Sequence, residues 1–326
     1  MLCVDGTSDE ALRALGERDD LALSIERDTP LARRSSLRIG GPVRAWAEVG
    51  SREALRAVLE LADEHDLEYR VVGLGSNVLF PDEGLDKIAL RLVYELAGWE
   101  IVEERGDRAV VEVGAGTVNA HLVRGLLDTG WTGAEFLRLI PGTFGGAVAM
   151  NAGTKEADVA SVLLEAELAV PGAEERWVAA EELSLGYRRC ELPDGAVVTA
   201  GRIEVERGDV EQARREMRRD RERRDETQPY KLASVGSTFA NPEGDYAGRL
   251  IDEAGLKGTE IGGARISETH ANFFINADDA TAEDFLRLMA LARVRVREKF
   301  DVELRPEVRF VGFDGIQRIQ AYEEEF

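Results

Sequence analysis

The chain has 326 residues, 44% of them hydrophobic, with 63 acidic against 41 basic side chains and a formal charge of −22. That length supports two or three domains with cores of their own, and that charge repels nucleic acid and acidic membrane surfaces, so an anionic ligand has to be held by local donors. Cys3 and Cys190 stand outside any C-x-x-C pair and His65, His121 and His270 are scattered, which leaves no disulfide framework and no recognisable metal spacing.

In chain order, residues 1–22 read as an N-terminal extension. They lack a basic stretch followed by a long apolar one, and no apolar run approaches membrane length, so the expectation is a cytoplasmic protein. Over 23–87 a small βαβ unit follows. Val43, Ala45, Ala47 and Val49 alternate as a strand, Ser51 N-caps a helix striped by Leu55, Val58, Leu59 and Ala62, and residues 69–72 return as a strand. From 88 to 226 strand signals dominate, at 109–113 and 196–203 among others, with a helix near 118–127 ended by Gly130. Residues 209–226 form a helix with the thin apolar stripe Val210, Ala213 and Met217. Gln228-Pro229 stops it and sets the last boundary. In 227–326, Thr281 opens a helix with Asp284 completing a partial capping box, and Phe285, Leu288, Met289, Ala292 and Val296 face a core. The class is α+β.

Two glycine-rich segments interrupt this pattern. Gly73-Leu-Gly-Ser-Asn77 reads as a tight turn between strands, and Ile140-Pro-Gly-Thr-Phe-Gly-Gly-Ala-Val-Ala-Met-Asn-Ala-Gly153 packs four glycines into an apolar stretch, as a buried loop approached by something other than protein would. Two such cradles suggest a dinucleotide. The Rossmann spacing is absent, because the third glycine position is filled by Val78 after Gly73 and Gly75, and by Asn119 after Gly114 and Gly116. No phosphate-binding G-x-x-x-x-G-K-[ST] occurs either. Backbone N–H groups of the turns must hold any pyrophosphate.

Taken singly, the polar residues of interest have plain readings. Ser237 after Gly236 suits a turn serine, Arg188 beside Arg189 a solvated charge, and Glu307 between Pro306 and Val308 an exposed carboxylate on a strand. A lone histidine such as His270 more often packs than reacts.

In combination they carry a resemblance. Gly73-Leu-Gly-Ser-Asn77, Ile140-Pro-Gly-Thr-Phe-Gly-Gly146, Met150-Asn-Ala-Gly153, Tyr187-Arg188, Gly236-Ser-Thr-Phe239 and Pro306-Glu-Val-Arg-Phe310 stand in the order seen in the UDP-N-acetylenolpyruvoylglucosamine reductase family, across about residues 30–312. The resemblance implies a vanillyl-alcohol-oxidase-like FAD-binding fold of two subdomains, 23–87 and 88–226, and an α+β substrate-binding domain at 227–326. It implies a monomer that takes a UDP-sugar and binds neither nucleic acid nor membrane. FAD would be held noncovalently, since neither glycine segment contains histidine or cysteine, and NADPH would reduce it. The implied FAD contacts are Gly73, Leu74, Gly75, Ser76, Asn77, Pro141, Gly142, Thr143, Gly145, Gly146, Asn151 and Gly153. The implied substrate contacts are Tyr187, Asn241, His270 and Asn272, and the implied catalytic set is Arg188, Ser237 and Glu307. No metal is implied. Thr154-Lys155-Glu156 and Ala240 depart from the common pattern, and the extra tyrosine-bearing loop of one subtype is not found.

The implied chemistry explains the set. Hydride delivered to the end of an enolpyruvyl ether pushes negative charge onto the neighbouring carbon and its carboxylate. A guanidinium such as Arg188 meets that charge with planar donors, a glutamic acid such as Glu307 helps only while protonated, which calls for burial, and the Ser237 hydroxyl supplies a proton to the carbanion. Two alternatives remain. Another flavin oxidase of the same superfamily would share the cofactor fold, although no histidine lies between His65 and His121 to tether flavin near the first turn. A non-catalytic flavin or sugar-nucleotide module would keep both glycine segments without needing Arg188, Ser237 and Glu307.

Overall fold

A computed structural model describes residues 6–326, so Cys3 lies outside the described residues. The chain forms two compact units. One holds the described residues up to 28 with 44–73 and 86–221; the other holds 29–43, 74–85 and 222–326.

The first unit carries two sheets. Four strands run in the order Leu23–Pro30, Pro42–Val49, Leu85–Leu92 and Tyr69–Val71, the last two parallel. The helix Arg52–Glu64 buries Leu55, Val58, Leu59 and Ala62, and the Ser51 side chain accepts from Ala54 N–H at its start, as the sequence pattern predicts. The second sheet has the order Arg176–Ala179, Leu163–Ala169, Val197–Arg207, Arg108–Gly114 and Trp99–Arg105, antiparallel throughout, with Trp131–Thr132 added alongside Val197–Arg207. One core runs through both sheets, from Ala45, Leu55 and Ile88 to Val111, Phe144 and Ile203. Separate cores for 23–87 and 88–226 therefore do not form. Leu12 and Leu15 of the helix Gly6–Gly16 belong to the same core, so that helix is part of the unit and not an extension.

The second unit is built on the antiparallel sheet Ala233–Ser237, Phe273–Asn276, Ala264–Ile266, Glu260–Ile261. The helices Ala247–Glu253, Ala282–Phe300 and Gly315–Glu323 contribute to its core, to which Leu37, Ile39 and Leu79 from the two early segments also belong. A short parallel pair joins Arg309–Phe310 to Val78–Leu79. The capping box of Ala282–Phe300 is complete: Thr281 accepts from Asp284 N–H and Asp284 from Thr281 N–H, both at 3.0 Å. Asp82 adds a carboxylate that accepts from Ala282 and Glu283 N–H, where the helix dipole favours negative charge. Val210–Thr227 is the polar helix expected, with Ala213 its buried residue. Among the described residues no helix is long and apolar enough to cross a membrane.

Candidate active site

The two glycine segments meet within the first unit. A Cβ on Gly73 would lie 2.6 Å from Thr143 Oγ1, so glycine is what lets the end of the first segment rest on the second. Gly142 adopts φ 140°, a region that favours glycine. Asn119, fully buried, donates through Nδ2 to Ile140 O at 3.1 Å and through its main chain to Gly142 O at 3.2 Å. Phe144 and Gly145 N–H donate to Thr117 O and Ala115 O, each at 2.8 Å.

These bonds start a helix, Phe144–Ala149, where the sequence reading expects a loop. The reason is packing: Phe144, Ala147 and Val148 are buried, and Gly145 lets the turn press on Ala115, whose Cβ would be 2.7 Å from an added one. Gly146 differs from Gly145. Its missing side chain would meet nothing closer than Thr143 Oγ1 at 3.7 Å, so the protein itself does not require glycine there. Gly146 is exposed, next to the buried Thr143 on which Gly73 rests.

Asn151 and Gly153 follow that helix and serve the fold. Asn151 is 2% exposed, in the left-handed region at φ 39°. Its Nδ2 donates to Asp158 Oδ2 at 3.1 Å and Gly186 O at 3.0 Å, and its Oδ1 accepts from Ala160 N–H at 2.8 Å. A Cβ on Gly153 would run into Asp158 and Ala157. Gly186 and Arg189 exchange both main-chain hydrogen bonds, at 2.9 and 3.0 Å, and so close a two-residue turn of Tyr187 and Arg188. Arg188 sits at φ 55°, which costs a non-glycine residue about 1 kcal/mol or more. Its Nη2 donates to Gly153 O at 3.1 Å and its Cζ lies 5.0 Å from the centre of the exposed Tyr187 ring.

Leu74, Gly75, Ser76 and Asn77 belong to the second unit. Gly75 at φ 63° is required by the main chain: a Cβ there would run into Arg34 O and lie 2.8 Å from Ser35 Cα. Its carbonyl accepts from Ser36 N–H at 3.0 Å. Asn77 donates through Nδ2 to Glu307 O at 3.1 Å and accepts from Arg309 N–H at 3.0 Å. These bonds brace the segment that carries Glu307.

Ser237 and Glu307 are laced together across Thr238. Gly236 at φ 77° and a register shift between Ser234 and Ser237 place Ser237, half-buried, opposite Phe273. Thr238 O accepts from Glu307 N–H at 2.9 Å, Phe239 bridges Pro306, and Ala240 N–H donates to Arg305 O at 2.9 Å. Glu307, expected on a strand, lies just before one, half-buried, because Pro306 and the bonds to Thr238 take the segment across another before the pairing at Arg309 begins. Arg188 belongs to the first unit, Ser237 and Glu307 to the second.

Of the residues expected to touch substrate, Asn272 is spent on the fold: 3% exposed, it donates to Phe239 O at 2.8 Å and accepts from Phe239 N–H at 2.9 Å. Asn241 Oδ1 accepts from Ala247 N–H at the start of a helix. His270 packs edge-on against Phe273, and its Nδ1 accepts from Asn272 N–H at 3.2 Å. Burial, helped by nearby Lys257 and opposed by its own main chain and Asp252, pushes the imidazole below its reference value of 6.5. The unfolded chain then takes up this proton first as pH falls, so the contribution of neutral His270 is intact above the reference value and is lost below it. Replacing His270 by Asn should flatten the fall in melting temperature between about pH 7 and about pH 5; an unchanged slope sinks this assignment.

Sequence reading missed Asn119, Asp158 and the segment at Ser35-Ser36. None of them shows a periodic signal, because their partners are distant in sequence.

The chain is similar to known proteins along most of its length. Residues 43–178 match the model of an FAD binding domain, and residues 228–311 that of the UDP-N-acetylenolpyruvoylglucosamine reductase C-terminal domain. The chain is 42% identical over 299 residues to the UDP-N-acetylenolpyruvoylglucosamine reductase of Anaeromyxobacter sp. strain K, covering 90% of this chain and 89% of that protein. The protein of the same name from Bacillus velezensis is 35% identical over 297 residues, with coverages of 90% and 96%. The crystal structure of the Thermus caldophilus reductase superposes with a TM-score of 0.76 at 37% identity, over 88% of this chain and 99% of that one.

Proposed function

Because the chain belongs to the UDP-N-acetylenolpyruvoylglucosamine reductase family, we propose that it reduces the enolpyruvyl group of UDP-N-acetylglucosamine-enolpyruvate to give UDP-N-acetylmuramate, for peptidoglycan precursor synthesis. What supports this reading most is the lacing of Ser237 to Glu307 through the 2.9 Å bond to Thr238, inside the matched C-terminal domain. FAD, when bound, supplies hydride that it has received from NADPH. Gly146, exposed and not required to be glycine by any protein atom, is the position of the second glycine segment left to face it.

Each residue then has a task. Arg188 offers a guanidinium to the negative charge that develops on the substrate carboxylate. Ser237 gives its hydroxyl proton to the carbon next to that carboxylate, and Glu307 steadies the charge from its half-buried segment. Tyr187, exposed beside Arg188, and Asn241 with His270 in the second unit are the remaining candidates to hold the sugar nucleotide. Asn77, Asn151, Gly153 and Asn272 brace these groups. This reading includes a cytoplasmic setting and a single chain as the working unit.

Purified protein should be yellow, bleach with NADPH, and regain colour when the enolpyruvyl sugar nucleotide is added. Bleaching without recovery would point to another flavin oxidoreductase. The two neighbouring glycines separate cofactor space from packing. Gly146→Val should lose most of its flavin with little change in melting temperature, whereas Gly145→Val collides with Ala115 and should lower the melting temperature by several degrees, as overpacking of about 1–3 kcal/mol does. Full flavin in Gly146→Val would place the cofactor face elsewhere.

A further inference from the structure

We propose that Asn151 is a positioning residue for Arg188, acting through a clamp with Asp158 and Gly186. This inference rests on the role given to Arg188 above.

The clamp is visible bond by bond. Asn151 Nδ2 spends both protons, on Asp158 Oδ2 at 3.1 Å and Gly186 O at 3.0 Å, and Oδ1 takes Ala160 N–H at 2.8 Å. Gly186 is the first residue of the four-residue turn whose inner pair is Tyr187 and Arg188. Arg188 donates back to Gly153 O, two residues beyond Asn151. A closed circuit results: Asn151 holds the turn at its entry, and Arg188 holds Gly153 from the turn's tip.

Such a circuit is needed because the turn is not self-sufficient. Arg188 occupies φ 55°, a conformation that its side chain disfavours, and the main-chain bonds between Gly186 and Arg189 are few. Strain of this kind persists only where surrounding groups over-determine it. An amide is the side chain that meets all three demands. It presents two donors to an oxygen pair and one acceptor to an N–H from a fully buried place, and it tolerates φ 39° better than most residues. Aspartate offers no donor and would face the Asp158 carboxylate. Alanine would leave Ala160 N–H unserved and Gly186 O held by Arg189 N–H alone.

The test is a double-mutant cycle on the FAD-loaded protein, with Asn151→Ala, Arg188→Ala and both. Flavin content, melting temperature, bleaching by NADPH and reoxidation by the enolpyruvyl sugar nucleotide are read separately. A misplacement of about 1 Å costs on the order of 10²-fold, so Asn151→Ala should slow reoxidation by about that factor while flavin content and bleaching stay near parent values. In the Arg188→Ala background the same change should cost almost nothing further, which a merely structural role would not produce. Losses that multiply in the double variant, or equal losses in bleaching and reoxidation, overturn the inference. Should Asn151→Ala not fold, Asp158→Ala removes one arm of the clamp, and the same cycle applies with a smaller loss. If Arg188→Ala itself reoxidises at the parent rate, the role of Arg188 has failed. If it is slow while both clamp variants are normal, only the positioning inference has.

Discussion

Ser237→Ala is expected to keep its fold and its flavin, to bleach with NADPH at the parent rate, and to lose reoxidation by substrate by at least about 10²-fold. The size follows from the worth of a positioned general acid, about 10²–10⁴ in rate. The selectivity follows from the structure. Ser237 is half-buried at the end of the strand Ala233–Ser237, beside a glycine at φ 77°, and the neighbouring bonds are made by main chain and by Thr238. Thr238 Oγ1 accepts from Phe274 N–H at 3.3 Å, and Asn272 secures Phe239, so the serine hydroxyl can be removed without loosening the strand end. Cysteine at 237, which can also give a proton, should restore part of the lost rate. A reoxidation rate near the parent value in Ser237→Ala would mean that the serine only shapes the turn.

Arg188→Lys is expected to lose reoxidation nearly as heavily, although the charge is kept. A guanidinium presents a planar fork to a carboxylate; an ammonium is a point charge. In this chain the geometry is set by the Nη2 bond to Gly153 O and by the Tyr187 ring 5.0 Å from Cζ, and lysine reproduces neither arrangement with the same reach. Bleaching by NADPH should change little, because that step develops no charge on a substrate carboxylate. An equal loss in both steps would make Arg188 a residue of the fold or of flavin binding. Arg188→Gly relieves the left-handed position but loses the bond to Gly153 O, so stability should change by less than about 1 kcal/mol, while reoxidation collapses.

Local pattern fixed a good deal here. The helix after Ser51 and the one after Thr281 were readable because an N-cap and a 3.6-residue apolar stripe coincide in each, and both elements require only residues a few positions apart. The strands at Pro42–Val49, Arg108–Gly114 and Val197–Arg207 were readable from alternation or short β-rich runs. The order of six short motifs pointed to the family to which the chain belongs.

Tertiary structure decided what depends on partners far along the chain. Residues 29–43 and 74–85 join a unit whose bulk starts at 222, because Leu37, Ile39 and Leu79 bury against a core made mostly of the last hundred residues, and no contiguous boundary can express that. The stretch after Thr143 reads as loop by its glycines, yet it is a helix, since Thr117 O and Ala115 O satisfy its first N–H groups and Ala115 needs the room that Gly145 leaves. Gly75 is demanded by Arg34 O, whereas no protein atom demands glycine at Gly146. The side chains of Asn77, Asn151 and Asn272 also bond the chain itself, and only the folded chain shows that Glu307, Gly186 and Phe239 are the partners. The sequence by itself named the chemistry; which amides and glycines the chain itself requires follows from distances between segments that no local pattern encodes.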